Sequence, residues 1–310
     1  MTEPDDQPPP SPGVEALYAD LRRRTGTTAG AAPLRLELTQ VAPDVRVVEL
    51  RTPTLPPAMT TSCVLVGPSQ GPGPLLVVDP ATPHAPDQAL LAALLAAEAA
   101  AGRPVAATVL THHHGDHVGA AALVRAATGA PVWAHAATAA RLPGLGIDHE
   151  LDDGDRLGVA GAEVVFTPGH APGHVCLWLP AGALVVAGDM VAGQGTILID
   201  PDEGDMTAYL ASLRRLAALG PTTLVPAHGP IIGDGVARLD AYVAHRLRRE
   251  AQVLAAVRAA PGADARALCA IAYADTPVVL WPLAERSLRA HLVRLVADGV
   301  VVPAGVGWSA

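Results

Sequence analysis

The run Thr-His-His-His-Gly-Asp-His at residues 111–117 constrains this chain more than any other feature. It places three imidazoles and one carboxylate in the pattern H-x-H-x-D-H, at His112, His114, Asp116 and His117. Imidazole nitrogens and carboxylate oxygens are the ligands that zinc and similar divalent ions prefer. Because four such ligands in so short a run exceed what one ion easily uses, the run predicts a two-metal hydrolytic centre, provided that the rest of the chain supplies the missing ligands.

The segments on either side of this run predict a strand before it and a helix after it. Residues 105–110 are apolar and β-branched, and residues 118–127 are rich in alanine. A buried strand, a polar turn and a helix would present the ligands at the carboxyl edge of a sheet, where α/β proteins usually place their chemistry. The alternative, a solvated histidine-rich turn or an affinity tag, does not account for the Gly-Asp pair inside the run.

The composition favours sheets covered by helices. Half of the 310 residues are hydrophobic but only 3% are aromatic, so the core must consist mainly of Ala, Val and Leu. The net charge of −9 argues against a broadly basic nucleic-acid-binding surface, although not against a local basic strip. The three cysteines, Cys63, Cys176 and Cys269, lie far apart and are interpreted as small buried apolar side chains in a reducing compartment.

Nothing in the sequence predicts a membrane span or a signal peptide. No run of about 18 uncharged apolar residues exists, and the N-terminus is acidic and rich in proline rather than basic and then apolar. We therefore expect a cytoplasmic protein with no membrane association. The polar composition of residues 1–33 predicts a disordered leader with one short amphipathic helix at 14–24.

Apolar runs separated by turn residues predict strands and helices from residue 34 to residue 245. The predicted strands are residues 34–38, 45–50, 63–66, 75–79, 105–110, 131–134, 163–167, 175–179, 183–187 and 224–225, and the predicted helices are residues 88–101, 118–127 and 206–219. Residues 175–187 are interpreted as a hairpin. Strands first, followed by strands alternating with helices, predict an α/β sandwich of sheets flanked by helices.

After His245 the sequence predicts mainly helices rather than strands alternating with helices. Three helices are predicted at 246–260, 264–273 and 283–298, and a β-like segment follows at 300–302. This arrangement resembles a winged helix-turn-helix module. We therefore divide the chain into a leader at 1–33, a catalytic domain at 34–245 and a winged-helix-like domain at 246–310.

Three later sites place a metal-binding side chain directly after a predicted strand. His170 ends the turn Thr-Pro-Gly-His, Asp189 ends Ala-Gly-Asp, and His228 lies in Pro-Ala-His-Gly. All of them could converge with the first run on one edge of the sandwich. His174, in a second Gly-His pair, competes with His170 for the same role. His113 should point away from the ions, because neighbouring residues of an extended segment face opposite sides.

These four motifs, in this order, resemble the metallo-β-lactamase superfamily over about residues 40–245. The resemblance implies an αβ/βα sandwich, α/β (α+β) in class, with a dinuclear metal site. It implies that His112, His114 and His170 bind the first metal, that Asp116, His117 and His228 bind the second, and that Asp189 bridges the two. In the family the ligand is the first histidine after the Thr-Pro-Gly turn, which assigns His170 and leaves His174 behind the ligands, orienting that turn.

The C-terminal part is similar to the β-lactamase-like-protein-2 group of this superfamily. The similarity lies in His-Arg-Leu-Arg-Arg-Glu at 245–250, Leu-Ala-Glu-Arg-Ser at 283–287 and the loop Gly-Gln-Gly-Thr at 193–196. The antibiotic-destroying β-lactamases differ, since they are secreted single-domain proteins with a cysteine at the position of Asp189. The resemblance therefore implies a hydrolase with another substrate.

The implied chemistry is hydrolysis by an activated water. Two cations about 3.5–4 Å apart would hold a bridging water and lower its pKa toward 7, giving hydroxide at neutral pH. Asp116 is placed to ligate one ion and to hold or shuttle the water proton. No serine or cysteine has a paired base in a recognisable context, which argues against a covalent intermediate. We expect two divalent ions, Zn²⁺ first, with Mn²⁺ or Fe²⁺ as alternatives.

Two substrate classes stay open. The first is a small ester, thioester or lactone-like bond, for example in a carrier-bound acyl group. The second is single-stranded RNA, because the resembling group includes endoribonucleases. The acidic balance and the few aromatics weigh against RNA. The basic run at Arg246, Arg248 and Arg249 is in its favour, although a solvated helix face is the alternative interpretation.

Two further hypotheses complete the set. The winged-helix-like domain could cover the active site or form the contact of a homodimer. A di-iron redox role is also known in the superfamily, but those members carry a flavin domain, for which this sequence has no counterpart.

Overall fold

The computed structural model describes residues 20, 23, 37–54 and 58–310. The predicted leader at 1–33 and its short helix lie outside the described residues, apart from Asp20 and Arg23. Within the described part of the chain, no helix is both long and apolar enough to cross a membrane.

Seven strands form one mixed sheet in which the strand order follows the chain. Pairs among the first four strands are antiparallel, and pairs from the fourth to the seventh are parallel. The strands are β1 (Thr39–Ala42), β2 (Val45–Arg51), β3 (Thr60–Val66), β4 (Leu75–Val78), β5 (Val105–Val109), β6 (Val132–Ala134) and β7 (His149–Glu150). Of the strand predicted at 34–38, residues 34–36 lie outside the described residues, Glu37 and Leu38 are not in a strand, and β1 begins at Thr39.

A second sheet contains four strands in the order β11-β10-β9-β8. They are β8 (Glu163–Phe166), β9 (Val175–Leu179), β10 (Leu184–Gly188) and β11 (Thr223–Pro226). The predicted hairpin is confirmed, because β9 and β10 pair antiparallel across a 3₁₀ turn at Pro180–Gly182. Strands β10 and β11 are parallel, so the residues that follow them meet at one edge of the sheet.

The helices are α1 (Ala85–Ala100), α2 (Gly115–Val118), α3 (Ala121–Thr128), α4 (Ala136–Ala139), α5 (Met206–Ala218), α6 (Gly235–Ala259), α7 (Ala265–Ala272) and α8 (Trp281–Ala297). The helix predicted at 118–127 is confirmed from Ala121 onward as α3, whereas its predicted start is wrong, because Val118 ends the short helix α2. Gly119 lies at the break, where a β-carbon would approach the carbonyl oxygen of Ala81 to 2.6 Å. This close approach sets the path of the chain after the histidine run.

The two sheets pack face to face, with helices on both outer faces. The side chains of β2 alternate between two layers. Val45 and Val47 enter the core between the sheets, whereas Val48 and Leu50 pack under α1. Helix α5 and the first half of α6 cover the second sheet. The predicted sandwich is therefore confirmed. All three cysteines are buried and free, as predicted for apolar core residues.

The C-terminal helices surround a core of their own. Strands β12 (Val302–Ala304) and β13 (Gly307–Ser309) form the antiparallel wing, slightly later than the β segment predicted at 300–302. Helix α6 begins at Gly235 rather than at the predicted Arg246, because Asp234 caps it and Leu239 packs on the second sheet. The proposed boundary between residues 245 and 246 thus falls inside a helix that contributes side chains to both cores.

Candidate metal centre

Three imidazoles predicted to bind one ion lie together at the carboxyl end of β5. His112 Nε2 is 2.9 Å from His114 Nδ1, and His170 Nε2 is 3.1 Å from the same Nδ1 atom. His170 Nδ1 donates to the carbonyl oxygen of Leu198 at 2.9 Å, which leaves its Nε2 free to accept. Burial, followed by the neighbouring His114, lowers the pKa of His170 to about 4, so this ring is neutral at pH 7 and suited to be a ligand.

The other predicted trio lies beside the first. Asp116 Oδ2 is 3.5 Å from His228 Nε2, and Asp116 Oδ1 is 3.9 Å from His117 Nε2. His228 follows β11, and its Nδ1 donates to the carbonyl oxygen of Thr60 at 3.1 Å. One ligand atom from each of Asp116, His117 and His228 thus faces a common point, as does one from each of His112, His114 and His170.

Asp189 stands between the two trios. Its Oδ2 atom is 3.5 Å from His170 Nε2, whereas its Oδ1 atom is 3.6 Å from His117 Nε2 and 3.4 Å from His228 Nε2. Gly188 makes this position possible, because it has φ +49° and a β-carbon there would meet His174 Nε2 at 2.6 Å. Each carboxylate oxygen of Asp189 therefore faces a different trio, which is the arrangement required of a bridging ligand.

The charges and the unsatisfied atoms of this cluster fit divalent cations. His117 Nε2 and Asp189 Oδ1 are buried and have no hydrogen-bond partner among the described residues. Burial lowers the pKa of His117, but Asp189 and Asp79 raise it well above its ordinary value. Burial raises the pKa of Asp189, yet His228 and His117 hold it well below its usual range. The site therefore favours positive charge next to ionised carboxylates, and its nitrogen and oxygen donors suit zinc-like ions.

Asp79 is a functional residue that sequence reasoning missed. It follows β4, is buried, and accepts hydrogen bonds from the Thr111 N–H at 2.8 Å and the Thr111 hydroxyl at 2.6 Å. His117 Nδ1 lies 2.8 Å from Asp79 Oδ2, so the carboxylate orients this ring and keeps Nε2 toward the cluster. The sequence signal that could have identified Asp79 was an acid at the end of a predicted strand, next to the strand that precedes the histidine run.

Glu203 is the second residue that was missed. Its Oε1 lies 2.6 Å from His114 Nε2 and its Oε2 lies 2.9 Å from His113 Nε2. Burial raises the pKa of Glu203, but the hydrogen bonds from His113 and His114 bring it far below its ordinary value. His113 is thus engaged with Glu203. It shares a possible ligand group with His114 and Glu203 but none with His112 among the described residues, so the expectation that it points away from the ions stays a prediction. No local motif marks Glu203.

His174 lies behind the cluster, as predicted. Its Nδ1 is 2.9 Å from the Thr167 hydroxyl, and its Nε2 accepts from the Asp189 N–H at 3.1 Å. Burial holds its pKa well below the ordinary value, so the ring is neutral and can accept this bond. His174 therefore connects the turn before His170 with the backbone of Asp189, and within the described part of the chain it belongs to none of the groups that could hold an ion.

A cavity of about 350 Å³ lies over the centre and extends to the C-terminal helices. Asp116 and His228 line it from the centre, and Tyr273, which follows α7, lines it together with Leu283 and Ser287 of α8. The winged-helix-like part therefore forms a wall of the site.

The interpretation of the basic run as a solvated helix face is wrong for two of its three arginines. Arg246 is 2% exposed, and Arg249 pairs with Asp275 at 2.8 Å. Both side chains line the cavity, whereas Arg248 is exposed. The run therefore does not form a continuous basic strip.

Comparisons with known proteins agree with this geometry. Residues 56–228 match the family described as Metallo-beta-lactamase superfamily, and residues 265–308 match the Beta-lactamase associated winged helix domain. A protein of Caenorhabditis elegans named Beta-lactamase-like protein 2 homolog is 28% identical over 73% of this chain and 76% of its own length.

Two further similarities complete the comparison. A protein named Hydroxyacylglutathione hydrolase from Fuscovulum blasticum is 45% identical, but over 43% of this chain and only about half (52%) of its own length. The crystal structure of a metallo-β-lactamase family protein from Thermus thermophilus shares the fold with a TM-score of 0.70 at 24% identity, covering 87% of this chain and 98% of that chain. Since the superfamily match alone spans more than half of the sequence, this chain belongs to the metallo-β-lactamase superfamily and is a hydrolase with a C-terminal β-lactamase-associated winged helix domain.

Proposed function

We propose that this hydrolase cleaves a small or carrier-bound acyl thioester by means of two divalent metal ions, Zn²⁺ first. The observation that carries the proposal is the position of Asp189, with one carboxylate oxygen toward each trio of ligand atoms. It supports a first ion on His112, His114 and His170, a second on Asp116, His117 and His228, and Asp189 between them.

Two such ions, when bound, supply a water activated at neutral pH and a Lewis acid for the substrate carbonyl oxygen. The residues of the chain hold and orient the reactants. Asp116 lines the cavity and has a carboxylate placed to accept a proton from the attacking water. Asp79, Glu203 and His174 hold His117, His114 and Asp189 in place from behind. Preorganisation of this kind keeps the reacting groups in one geometry through the reaction.

A thioester is favoured over RNA by two observations. Relatives named hydroxyacylglutathione hydrolase are 44–45% identical over 38–43% of this chain, and an acyl group on the glutathione sulfur is a thioester. The cavity wall includes the acids Asp116 and Glu203, and one of its arginines, Arg249, is already paired with Asp275, so the wall offers little free positive charge to the phosphodiester backbone of RNA. The cytoplasmic location, the homodimer contact and the division at residues 245 and 246 stay predictions.

A side-by-side assay tests the proposal. The zinc-loaded protein is offered acyl thioesters, aryl esters, lactones and single-stranded RNA, and we expect the highest kcat/KM on thioesters. Asp116→Asn should lower kcat on them by about 10²- to 10⁴-fold, because the proton acceptor is lost. Asp152→Asn, the same change at an exposed turn, serves as the matched control. RNA cleavage that depends on Asp116, without thioester hydrolysis, would overturn the proposal.

A further inference from the structure

Arg246 is a buried cation that has no anionic partner among the described residues. Only 2% of the residue is exposed, its Nη2 donates to the carbonyl oxygen of Ile197, and its guanidinium carbon lies 5.3 Å from the centre of the Tyr209 ring. Its Nε is buried and has no hydrogen-bond partner among the described residues. A carbonyl and an aromatic face stabilise the charge only partly, so a counter-anion is missing from this environment.

The other buried arginines of the described chain show what is missing. Arg46 forms two hydrogen bonds with the carboxylate of Glu98, and Arg286 is bidentate to Asp200 at 2.5 and 2.6 Å. No carboxylate oxygen lies within 4.0 Å of Arg246 in the part of the chain that the structure describes. Because a buried guanidinium is costly without an anion, its retention beside a cavity indicates that an anion comes from the ligand.

Arg246 shares a cavity and a backbone segment with the candidate metal centre. The side chain lines the same cavity as Asp116, His170 and His228. Ile197 accepts the hydrogen bond of Arg246, and the next residue, Leu198, accepts that of His170. Adjacent residues of one segment therefore hold the guanidinium and one end of the candidate centre, within reach of a short organic chain.

We propose that Arg246 binds a carboxylate group of the substrate, a few bonds from the scissile thioester. A guanidinium N–H forms a charge-assisted hydrogen bond with a carboxylate oxygen, and one unpaired positive charge matches one negative charge. A phosphate dianion carries two negative charges, of which the single guanidinium of Arg246 would balance only one. The apolar wall of Ile197, Leu198 and Leu283 suits a short methylene chain between the two groups. This inference rests on the proposed thioester hydrolysis and adds the chemistry of the substrate.

Matched substrate pairs test the inference on the zinc-loaded full chain. One pair is the glutaryl and the glutaramoyl thioester of N-acetylcysteamine, and the other is the acetyl thioester of 3-mercaptopropionate and of its amide. The wild type should prefer the carboxylate member of at least one pair by about 10- to 100-fold in kcat/KM. Arg246→Gln should reduce this ratio to about 1, and Arg246→Lys should retain part of it. Since both members are assayed with one preparation, incomplete folding of a variant does not change the ratio.

Arg248→Gln is the matched control, because it removes the same charge from the exposed face of the same helix and should keep the wild-type ratio. A wild type without charge preference in both pairs, or a preference that survives Arg246→Gln, would overturn the inference.

A binding measurement separates this inference from the proposed function. Glutarate is titrated calorimetrically into the zinc-loaded wild type, and Arg246→Gln should weaken its binding about 10-fold whereas Arg248→Gln should not. If no thioester is hydrolysed but glutarate binding depends on Arg246, the proposed function fails and the carboxylate site stands. If thioesters are hydrolysed and binding is independent of Arg246, the site fails. Inorganic phosphate that binds more tightly than glutarate through Arg246 would overturn the assignment to a carboxylate.

Discussion

At the scale of single residues, the histidines of the centre are held on the side away from the cluster. In four of them the outer ring nitrogen forms a hydrogen bond with an oxygen atom. The oxygen belongs to the carboxylate of Asp79 for His117, the carboxylate of Glu203 for His114, the carbonyl of Leu198 for His170 and the carbonyl of Thr60 for His228. Such an acceptor fixes the orientation of the ring and, when the imidazole is neutral, leaves the lone pair on the inward nitrogen. We expect the acceptors to control metal affinity nearly as strongly as the ligands do.

The first prediction concerns Glu203. Glu203→Gln should lower the affinity of the first ion by about 10- to 100-fold, because the amide is uncharged and holds the His114 ring less firmly. The measurement is a competition titration of zinc against a chelator. Glu150→Gln, the same change at an exposed strand position, is the control and should leave the affinity unchanged. Equal zinc affinities for Glu203→Gln and the wild type would contradict the prediction.

The candidate ligands could be named from the sequence, whereas the residues that hold them could not. Every predicted ligand follows a strand in a short motif, and a local pattern is enough to find it. Glu203 is 89 residues from His114 in the chain, and Asp79 is 38 residues from His117. Their roles arise only when separate loops meet at one edge of the sandwich.

At the scale of elements, the loop at residues 189–205 joins the centre to the C-terminal helices. It begins with Asp189 and contains Glu203 near its end. From α6, the hydroxyl of Tyr242 accepts from the Ala192 N–H at 2.8 Å; from α8, Arg286 pairs with Asp200. The position of the loop therefore depends on helices that lie outside the sandwich strands.

The second prediction concerns this contact. Arg286→Leu should lower the free energy of unfolding by about 3–5 kcal/mol, because it leaves the buried Asp200 carboxylate without a counter-charge. Urea unfolding followed by circular dichroism measures this change. Arg289→Leu, on the same helix and paired with Glu285 near the surface, should cost about 1 kcal/mol or less. Similar losses for the two variants would refute the importance of the Asp200 contact.

Several element bounds depended on contacts that the local sequence does not contain. The strands of both sheets were predictable from their apolar runs, and the helix α5 from its stop at Gly220. The break at Gly119 was not, because it results from close approach to the backbone of residues 81–83. The early start of α6 was also missed, since it depends on packing of Leu239 and Tyr242 against the second sheet.

At the scale of the whole molecule, the centre gathers residues from both sheets at one edge. His112 follows β5 of the first sheet, whereas Asp189 and His228 follow β10 and β11 of the second. Ions bound there would join the two halves of the sandwich, and their binding free energy would add to the stability of the fold.

The third prediction follows from this arrangement. Removal of the ions with a chelator should lower the thermal midpoint by about 10 °C or more, since each ion present at about 1,000 times its Kd contributes about 4 kcal/mol. Scanning calorimetry before and after chelation and zinc restoration measures the change, and metal analysis should return about two equivalents per chain. The double variant His112→Ala/His117→Ala should lose the response, whereas exposed His149→Ala should keep it. An unchanged midpoint after chelation would disprove the coupling.

The sequence by itself determined the sandwich, the winged-helix-like appendage and the candidate ligands, because strand periodicity and motifs after strands are local properties of the chain. Only the tertiary structure decided which oxygens hold the histidines, how Asp189 divides its two oxygens between the trios, and that Arg246 faces the cavity rather than solvent. The physical reason is that these properties depend on burial and on contacts between residues far apart in the chain. A basic helical turn has the same sequence whether water or a substrate cavity lies beside it.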